Sequence, residues 1–438
     1  MSDTASACCE RSLELPCDLE SFFARALDDQ DSAVWLDGRG EFGGGWVSGT
    51  MMGLCCRRRA GIAARTGWLE RIDRLVRRRL RRGGTARTGV VVLLGYEALD
   101  DAVAGSRVVV VEVDASLAAL SDGSTLLSAC AAAGAAAERR FERLARRSAV
   151  EPSRPAAIAG PVRTSLPRAA YLAAVARVKR HVTAGDVYQA NLCQRFDAPV
   201  DGDGFTLYRR LAAASPAPRS AYLRAAGSEL VSISPEVFLR FAPPDRVETH
   251  PIKGTRSRQS DPLADRRAAL ELVASPKDRA ELLMIVDLER NDLGRICRTG
   301  SIRVTQVAEL RSFPAVHHLV ARVEGRLRPG VGPQEMIRAT FPGGSISGAP
   351  KIRARELLRA IEPVPRGFFT GSLIWFGDDG SVDSSILIRT LVLSGGTVRL
   401  GAGGGIVADS DPEGEWEESN LKAAPIARAL GFDPREAR

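Results

Sequence analysis

Two pairs of carboxylates stand three residues apart, Asp278 with Glu281 and Glu415 with Glu418, each inside a stretch with helical signals. Residues three apart share a helix face, so each helix presents two acids to one side. Two such helices suit a hard cation, because Mg²⁺ takes one or two carboxylates together with water and a substrate oxygen. Asp278 also fits as a capping residue in a first turn, and Glu415 and Glu418 also fit as solvent-facing acids. A second arrangement joins an acid to an amine. Segments 229–241 and 247–255 flank the turn signal Pro243-Pro244-Asp245-Arg246. A turn centred between Pro244 and Asp245 puts Glu236 opposite Lys253, about 5 Å apart at Cβ. A plain cross-strand ion pair has the same signature, and Pro235 and Pro251 interrupt both segments. The third feature is Arg389, a cation among apolar residues in SVDSSILIRTLVL, which needs an anion or a carbonyl. A turn at Gly395-Gly396 places it opposite Ala402 and beside Gly403 in GAGGGIV, where a backbone without side chains admits a ligand carboxylate. Lys422, one turn past Glu418, adds charge for an acidic substrate.

The elements that must carry these groups are legible in outline. Ser275 and Pro276 read as the N-cap and first position of a helix that runs on through RAELLMIVDLERNDLGRI, and 413–430 reads as another. Tyr171, Val175, Val178 and Val182 keep helical spacing up to a stop at Gly185. The run RIDRLVRRRLRRGG at 71–84 reads as an amphipathic helix with Leu75, Val76 and Leu80 inward and a solvated basic face. VVVLLGY at 90–96 and RVVVVEV at 107–113 read as strands, and the Pro-rich 151–167 reads as a linker. From Asp186 onward, strands in pairs separated by turn residues alternate with helices, which favours an antiparallel α+β fold over βαβ units. The loop GGSISGAPKI lacks the phosphate-loop pattern, residues 401–405 lack the dinucleotide spacing, and His317-His318 has no metal-ligand companion at zincin spacing.

Composition narrows the class. The chain of 438 residues is 45% apolar and 26% charged, as a water-exposed globular protein is. No segment has the ~18 uncharged apolar residues of a membrane span, and the N-terminus lacks a secretory pattern, so a cytoplasmic protein with no membrane association is expected. The eight cysteines form two adjacent pairs, Cys8-Cys9 and Cys55-Cys56, plus four singles without metal spacing, and are expected to be reduced thiols. The net charge of +8 is diffuse, with acids interleaved throughout, so no nucleic-acid partner is expected. Only five of the 61 basic residues are lysines, at 179, 253, 277, 351 and 422. Where arginine supplies ordinary charge, a lysine marks a place that wants an amine able to lose its proton or act as a compact point charge.

Over 165–430 the chain resembles the chorismate-utilising enzymes. The motifs are GDVYQANLCQRF (185–196), SPEVFL (234–239), HPIKGTRSR (250–258), DRAELLMIVDLERNDLGR (278–295), VHHLV (316–320), FPGGSISGAPKIRARELL (341–358), RGFFTGSLIWF (366–376), ILIRT (386–390) and GGGIVADSDPEGEWEESNLK (403–422). The resemblance implies two packed antiparallel β-sheets surrounded by helices, with 165–430 as the chorismate-binding catalytic domain and 1–150 as a divergent N-terminal region of the same body. It implies Glu281 and Glu418 as inner Mg²⁺ ligands, with Asp278 and Glu415 acting through water. Around the substrate it places Gln189, Thr255, His318, Ser345, Phe369, Arg389, Gly403 and Lys422, with Arg389 on the enolpyruvyl carboxylate. Glu236 would protonate the departing C4 hydroxyl. Relatives that add water at C2 carry lysine at the position of Gln189, and anthranilate synthases carry alanine at the position of Lys253. The pattern therefore resembles most the aminodeoxychorismate synthase component I branch, in which Lys253 would bond C2 and ammonia would add at C4, with anthranilate synthase component I and a non-catalytic homologue of the family as the alternatives. Relatives often carry Tyr or Trp at the position of Phe369. No cysteine nucleophile elbow with a His-Glu partner is visible, so a separate glutamine amidotransferase subunit is expected to supply ammonia.

Overall fold

Alternation of side chains along the strands stacks three cores upon one another. In Ala33–Asp37, Val34 and Leu36 enter one buried cluster while Ala33 and Trp35 enter another. In Gly89–Leu94, Val91 and Leu93 join the first of these, and Val90, Val92 and Leu94 a third. A period of two with apolar residues on both faces belongs to sheets covered on both sides. The computed structural model describes residues 9–27, 32–37, 46, 50–63, 67–100, 107–119, 124–130, 133–147, 153–314 and 316–438, leaving Cys8 of the first cysteine pair outside them. Every pairing between its strands is antiparallel, and they form two arms that share the strand Arg107–Ala119. One arm passes through Thr50–Ala63, Ala33–Asp37, Arg219–Ala225, Ser228–Ser234, Thr390–Ser394 and Thr397–Ile406 to Gln189–Asp201. The other passes through Gly89–Leu94, Ser372–Gly377, Val382–Ile386, Val237–Ala242 and Arg246–His250 to Val316–Arg326.

The inner faces of the arms meet at Val34, Leu36, Leu223, Val91, Leu93 and Trp375. The outer face of the first arm is covered by helices Leu19–Leu27, Gly204–Ala214 and Pro412–Leu430, and that of the second by Trp68–Leu80, Pro276–Gly294 and Pro333–Thr340. Helices Arg168–Thr183 and Lys351–Ile361 pack with Ala190, Leu192 and Ile406 in a further cluster. This is the expected α+β fold of two packed antiparallel sheets surrounded by helices, the two being continuous through one strand.

Four expectations change. The linker at 151–167 contributes Ala157–Ile158 and Arg163–Thr164, short edge strands that both pair with Gln189–Asp201, and proline is tolerated at such an edge. The helix Trp68–Leu80 buries Ile72, Val76 and Arg79 but exposes Leu80, and the Arg79 guanidinium is sunk against Asp378, Asp114 and Glu112. In the 229–257 hairpin, Ala242 pairs with Arg246 and Val237 with His250. A three-residue turn centred on Pro244 thus replaces the expected two-residue one, and Lys253 pairs with Leu319 rather than lying across from Glu236. The turn at Gly395-Gly396 has the expected register, but its ladder ends at Leu391 opposite Leu400. Arg389 lies outside it at φ +48°, a left-handed conformation costing on the order of 1 kcal/mol or more in a non-glycine residue.

Candidate active site

The helix Pro276–Gly294 opens as its sequence dictates, with Ser275 Oγ accepting the Asp278 N–H at 3.2 Å and proline in the first turn. The helix Pro412–Leu430 opens the same way on Asp411, which accepts the Gly414 N–H at 2.9 Å. Their acids are brought towards each other. Burial raises the Glu281 carboxyl above its ordinary range; Lys253 and Lys277 draw it down, while Asp278 and Glu418 push it up. Burial also raises Glu415, aided by Glu418 and opposed by the Ser410 hydroxyl, which donates to its Oε1 at 2.6 Å. Its other oxygen is buried without a partner. Burial pushes Glu418 up too, but Lys422 at 2.6 Å, with Lys277 and Lys253, outweighs it and holds the carboxyl below its usual value. Asp278 accepts from Arg256 Nη2 at 3.2 Å. Among the described residues no three Asp, Glu, His or Cys side chains form a ready-made coordination cluster. The orphaned Glu415 oxygen and the mutual repulsion of acids on two helices are nonetheless what a hard cation would relieve.

Lys253 lies within the same field. The strand Ile252–Ser257 leaves its side chain half-buried, and desolvation pulls the amine below the ordinary lysine value against the opposing pull of Glu281, Glu236 and Glu418. Glu236 reaches it despite the changed register, because Pro235 and Pro251 end the flanking strands and leave Glu236 free to accept the Ile252 N–H. Buried at 3% exposure, the Glu236 carboxyl is pushed up to about 7, opposed by the Ser345 hydroxyl, which donates to it at 2.6 Å, and by Lys253. It can therefore hold a proton near neutrality and give it up.

Around this pair stand groups with unused polar capacity. His318 Nδ1 lies 3.2 Å from the Gly254 carbonyl and 3.0 Å from Thr255 Oγ1, and burial together with Arg389 pulls the imidazole down to about 3. A neutral ring protonated on Nδ1 leaves Nε2, which is buried and unpartnered, as an acceptor. Thr255 itself is exposed. The Arg389 guanidinium has no hydrogen-bond or ion-pair partner among the described residues, and burial alone draws it below the usual guanidinium value. Gln189 is fully buried, and both atoms of its amide lack partners. The strand Thr397–Ile406 supports the whole group. Lys422 Nζ donates to the Gly403 carbonyl at 3.1 Å. A Cβ at Gly404 would lie 3.0 Å from Glu415 Oε2, and one at Gly405 would lie 1.9 Å from Gln189 Nε2. Only glycine lets these side chains rest on the backbone. The half-buried Phe369 ring lies over Gly401.

Several supporting residues were not singled out from sequence. Ser410 holds Glu415, and Lys179 donates to the Ser410 carbonyl. Lys351 pairs with the buried Asp292. Scarcity of lysine was a signal for Lys179 and Lys351. Nothing in an arginine-rich chain marked Arg366, which stacks on Tyr96 at 4.3 Å and donates to the Ile346 carbonyl at 2.9 Å behind the Ser345 turn.

An amine, a protonatable acid, a neutral imidazole and an unpaired guanidinium beside facing carboxylates define a site for a small acidic molecule. The chain belongs to the chorismate binding enzyme family, whose profile matches residues 68–428. It is 40% identical over 269 residues to anthranilate synthase component 1 of Bacillus subtilis (61% of this chain, 52% of that protein). It is 45% identical over 254 residues to aminodeoxychorismate synthase component 1 of Salmonella typhimurium (58% and 56%). The matched region spans about half the length of these curated relatives. Among solved structures, anthranilate synthase component I from Streptococcus pneumoniae superposes with a TM-score of 0.69 at 26% identity, over 78% of this chain and 81% of that one. The menaquinone-specific isochorismate synthase from Escherichia coli shares the fold, with a TM-score of 0.74 at 17% identity over 97% and 94%. Among the described residues no helix is long and apolar enough to cross a membrane.

Proposed function

We propose that this protein is the aminating component of an aminodeoxychorismate synthase, converting chorismate and ammonia to 4-amino-4-deoxychorismate and water. The observation that carries the reading is the placement of Lys253, a desolvated amine within the field of Glu281, Glu418 and Glu236. In neutral form it attacks C2 of the ring, the double bond shifts, and the C4 hydroxyl leaves as water with the proton of Glu236. Ammonia then attacks C4, the double bond returns, the C2–nitrogen bond to Lys253 breaks to release the neutral amine, and a proton from the new C4 ammonium returns to the Glu236 carboxylate. Arg389 binds the enolpyruvyl carboxylate. His318 Nε2 and Gln189 orient the ring and the incoming amine, and Lys422 and Gly403 lie beside the ring carboxylate. Asp278, Glu281, Glu415 and Glu418 are assigned to Mg²⁺, which when bound would supply the positive charge that holds that carboxylate. Ammonia is assigned to a separate glutamine amidotransferase subunit, in keeping with relatives named as component 1.

A second reading, anthranilate synthase component I, is favoured by relatives of that name at 40–44% identity. Incubation with chorismate, Mg²⁺ and an ammonium salt separates the two. Fluorescent anthranilate would refute the first reading, whereas 4-aminobenzoate appearing only after a lyase is added supports it.

A further inference from the structure

Behind the assigned proton donor lies a second buried acid that the mechanism does not use. Glu289 is carried by the helix Pro276–Gly294 two turns beyond Glu281, and its Oε1 accepts the Gly344 N–H at 3.0 Å. Gly344 begins the short turn Gly344–Ile346, whose next residue, Ser345, donates to Glu236. Three residues past Glu289, Asp292 pairs with Lys351, which also donates to the Thr340 carbonyl at 2.9 Å. One face of the helix thus holds residues 340–351 at both ends and, through Glu289, at the turn itself.

We propose that Glu289 is a positioning residue for the proton donor, holding the Gly344 amide so that the Ser345 hydroxyl is aimed at Glu236. The inference rests on Glu236 being the acid of the reaction proposed above. The contact is close by design of the backbone: a Cβ at Gly344 would lie 3.0 Å from Glu289 Oε1 and 2.7 Å from Leu288 Cδ2. Burial, then repulsion from Asp292, raises the Glu289 carboxyl well above its ordinary range, with Lys351 and the Gly344 N–H opposing. It therefore acts as a neutral acceptor, a role an amide of the same shape can fill. The charged groups facing Glu236 are Lys253 from the strand Ile252–Ser257 and, through its own titration, Glu289. Ser345 lowers the Glu236 carboxyl, so losing its bond raises it.

The test compares Glu289→Leu, Glu289→Gln and Ser345→Ala in the full chain. Chorismate turnover is measured across pH at fixed Mg²⁺ and fixed free ammonia, and hydrogen exchange of the Gly344 amide in the protein alone. Glu289→Leu is expected to lower kcat up to about tenfold with little change in KM, the loss of one hydrogen bond between neutral groups. It should also move the alkaline limb of the profile upward together with Ser345→Ala, and speed Gly344 exchange. Glu289→Gln should restore the limb, most of the rate and the slow exchange. If the leucine variant does not fold, Gly344→Ala strains the same bond from the other side and must move the limb likewise. The proposal is overturned if glutamine behaves as leucine does, if the rate falls with the limb unmoved, or if Gly344 exchange is unaffected. Failure of the parent reading shows separately, as absence of turnover or as anthranilate fluorescence in the unmodified protein, while the exchange measurement still reports on the contact.

Discussion

Removing the charge of Arg389 should make the protein more stable and a worse enzyme at the same time. The guanidinium is half-buried with no counter-ion among the described residues, and burial draws it below its usual value, so the folded state carries a partly desolvated cation. Arg389→Met keeps the stem and the left-handed backbone at φ +48° and removes only the charge. Relief of desolvation is expected to contribute roughly 1–2 kcal/mol, the lower part of the gain seen when buried charges give way to apolar groups. At roughly 2.1 cal/mol/K per residue, a 438-residue chain shifts its Tm by about 1 °C per kcal/mol, so a rise of about 1–2 °C is predicted. Substrate binding should move the other way. A charge-assisted contact to a carboxylate is worth about 1.5–3 kcal/mol, which lowers kcat/KM for chorismate by a factor of roughly 10–150. Thermal unfolding of the free protein and steady-state chorismate consumption read the two effects independently. A variant that loses stability, or that keeps its kcat/KM, would show that Arg389 serves a carbonyl of the protein and not a ligand.

Lys253→Ala should abolish 4-aminobenzoate formation in the lyase-coupled assay while leaving the circular dichroism spectrum intact; retained turnover would exclude the covalent route. Glu281→Gln should shift the Mg²⁺ titration of activity by at least about a hundredfold, and an unaltered titration would refute the ligand assignment. Because the Glu236 carboxyl is pushed up to about 7 and must be protonated to act, kcat/KM at fixed free ammonia should fall as pH rises through that value. A profile flat between pH 6 and 8, by the same assay, would remove Glu236 from the proton-donor role.

The parts of the fold that sequence disclosed were those governed by local rules. Ser275 with Pro276, the spacing of Tyr171, Val175 and Val178, and the Gly395-Gly396 turn each specify their own geometry, and all three are found where their residues place them. Whatever depends on a one-residue choice or on distant partners was not legible. Pro243-Pro244-Asp245 supports a turn of two residues or three, and that choice decides whether Glu236 faces Lys253 through the ladder or meets it past the two proline breaks. Leu80 and Arg79 exchanged their expected faces because acids on Arg107–Ala119 and at Asp378 lie beneath the last turn of the helix. Arg389 left its strand where its ladder ended, a feature that no propensity marks.

The distribution of amines offers a chemical handle. All five lysines touch or stand one residue behind the acidic helices and their supports: Lys253 and Lys277 by Glu281, Lys422 on Glu418, Lys351 on Asp292, and Lys179 on the loop that holds Glu415. Everywhere else the chain writes its basic surface in guanidinium groups, which acylating reagents pass over at neutral pH. Desolvation draws the Lys253 amine below the ordinary lysine value, which favours its nucleophilic neutral form. Brief acylation followed by mass mapping would therefore probe this cleft in the unmodified protein almost as selectively as a designed label, and a ligand resting on Lys253 would announce itself by silencing one peptide.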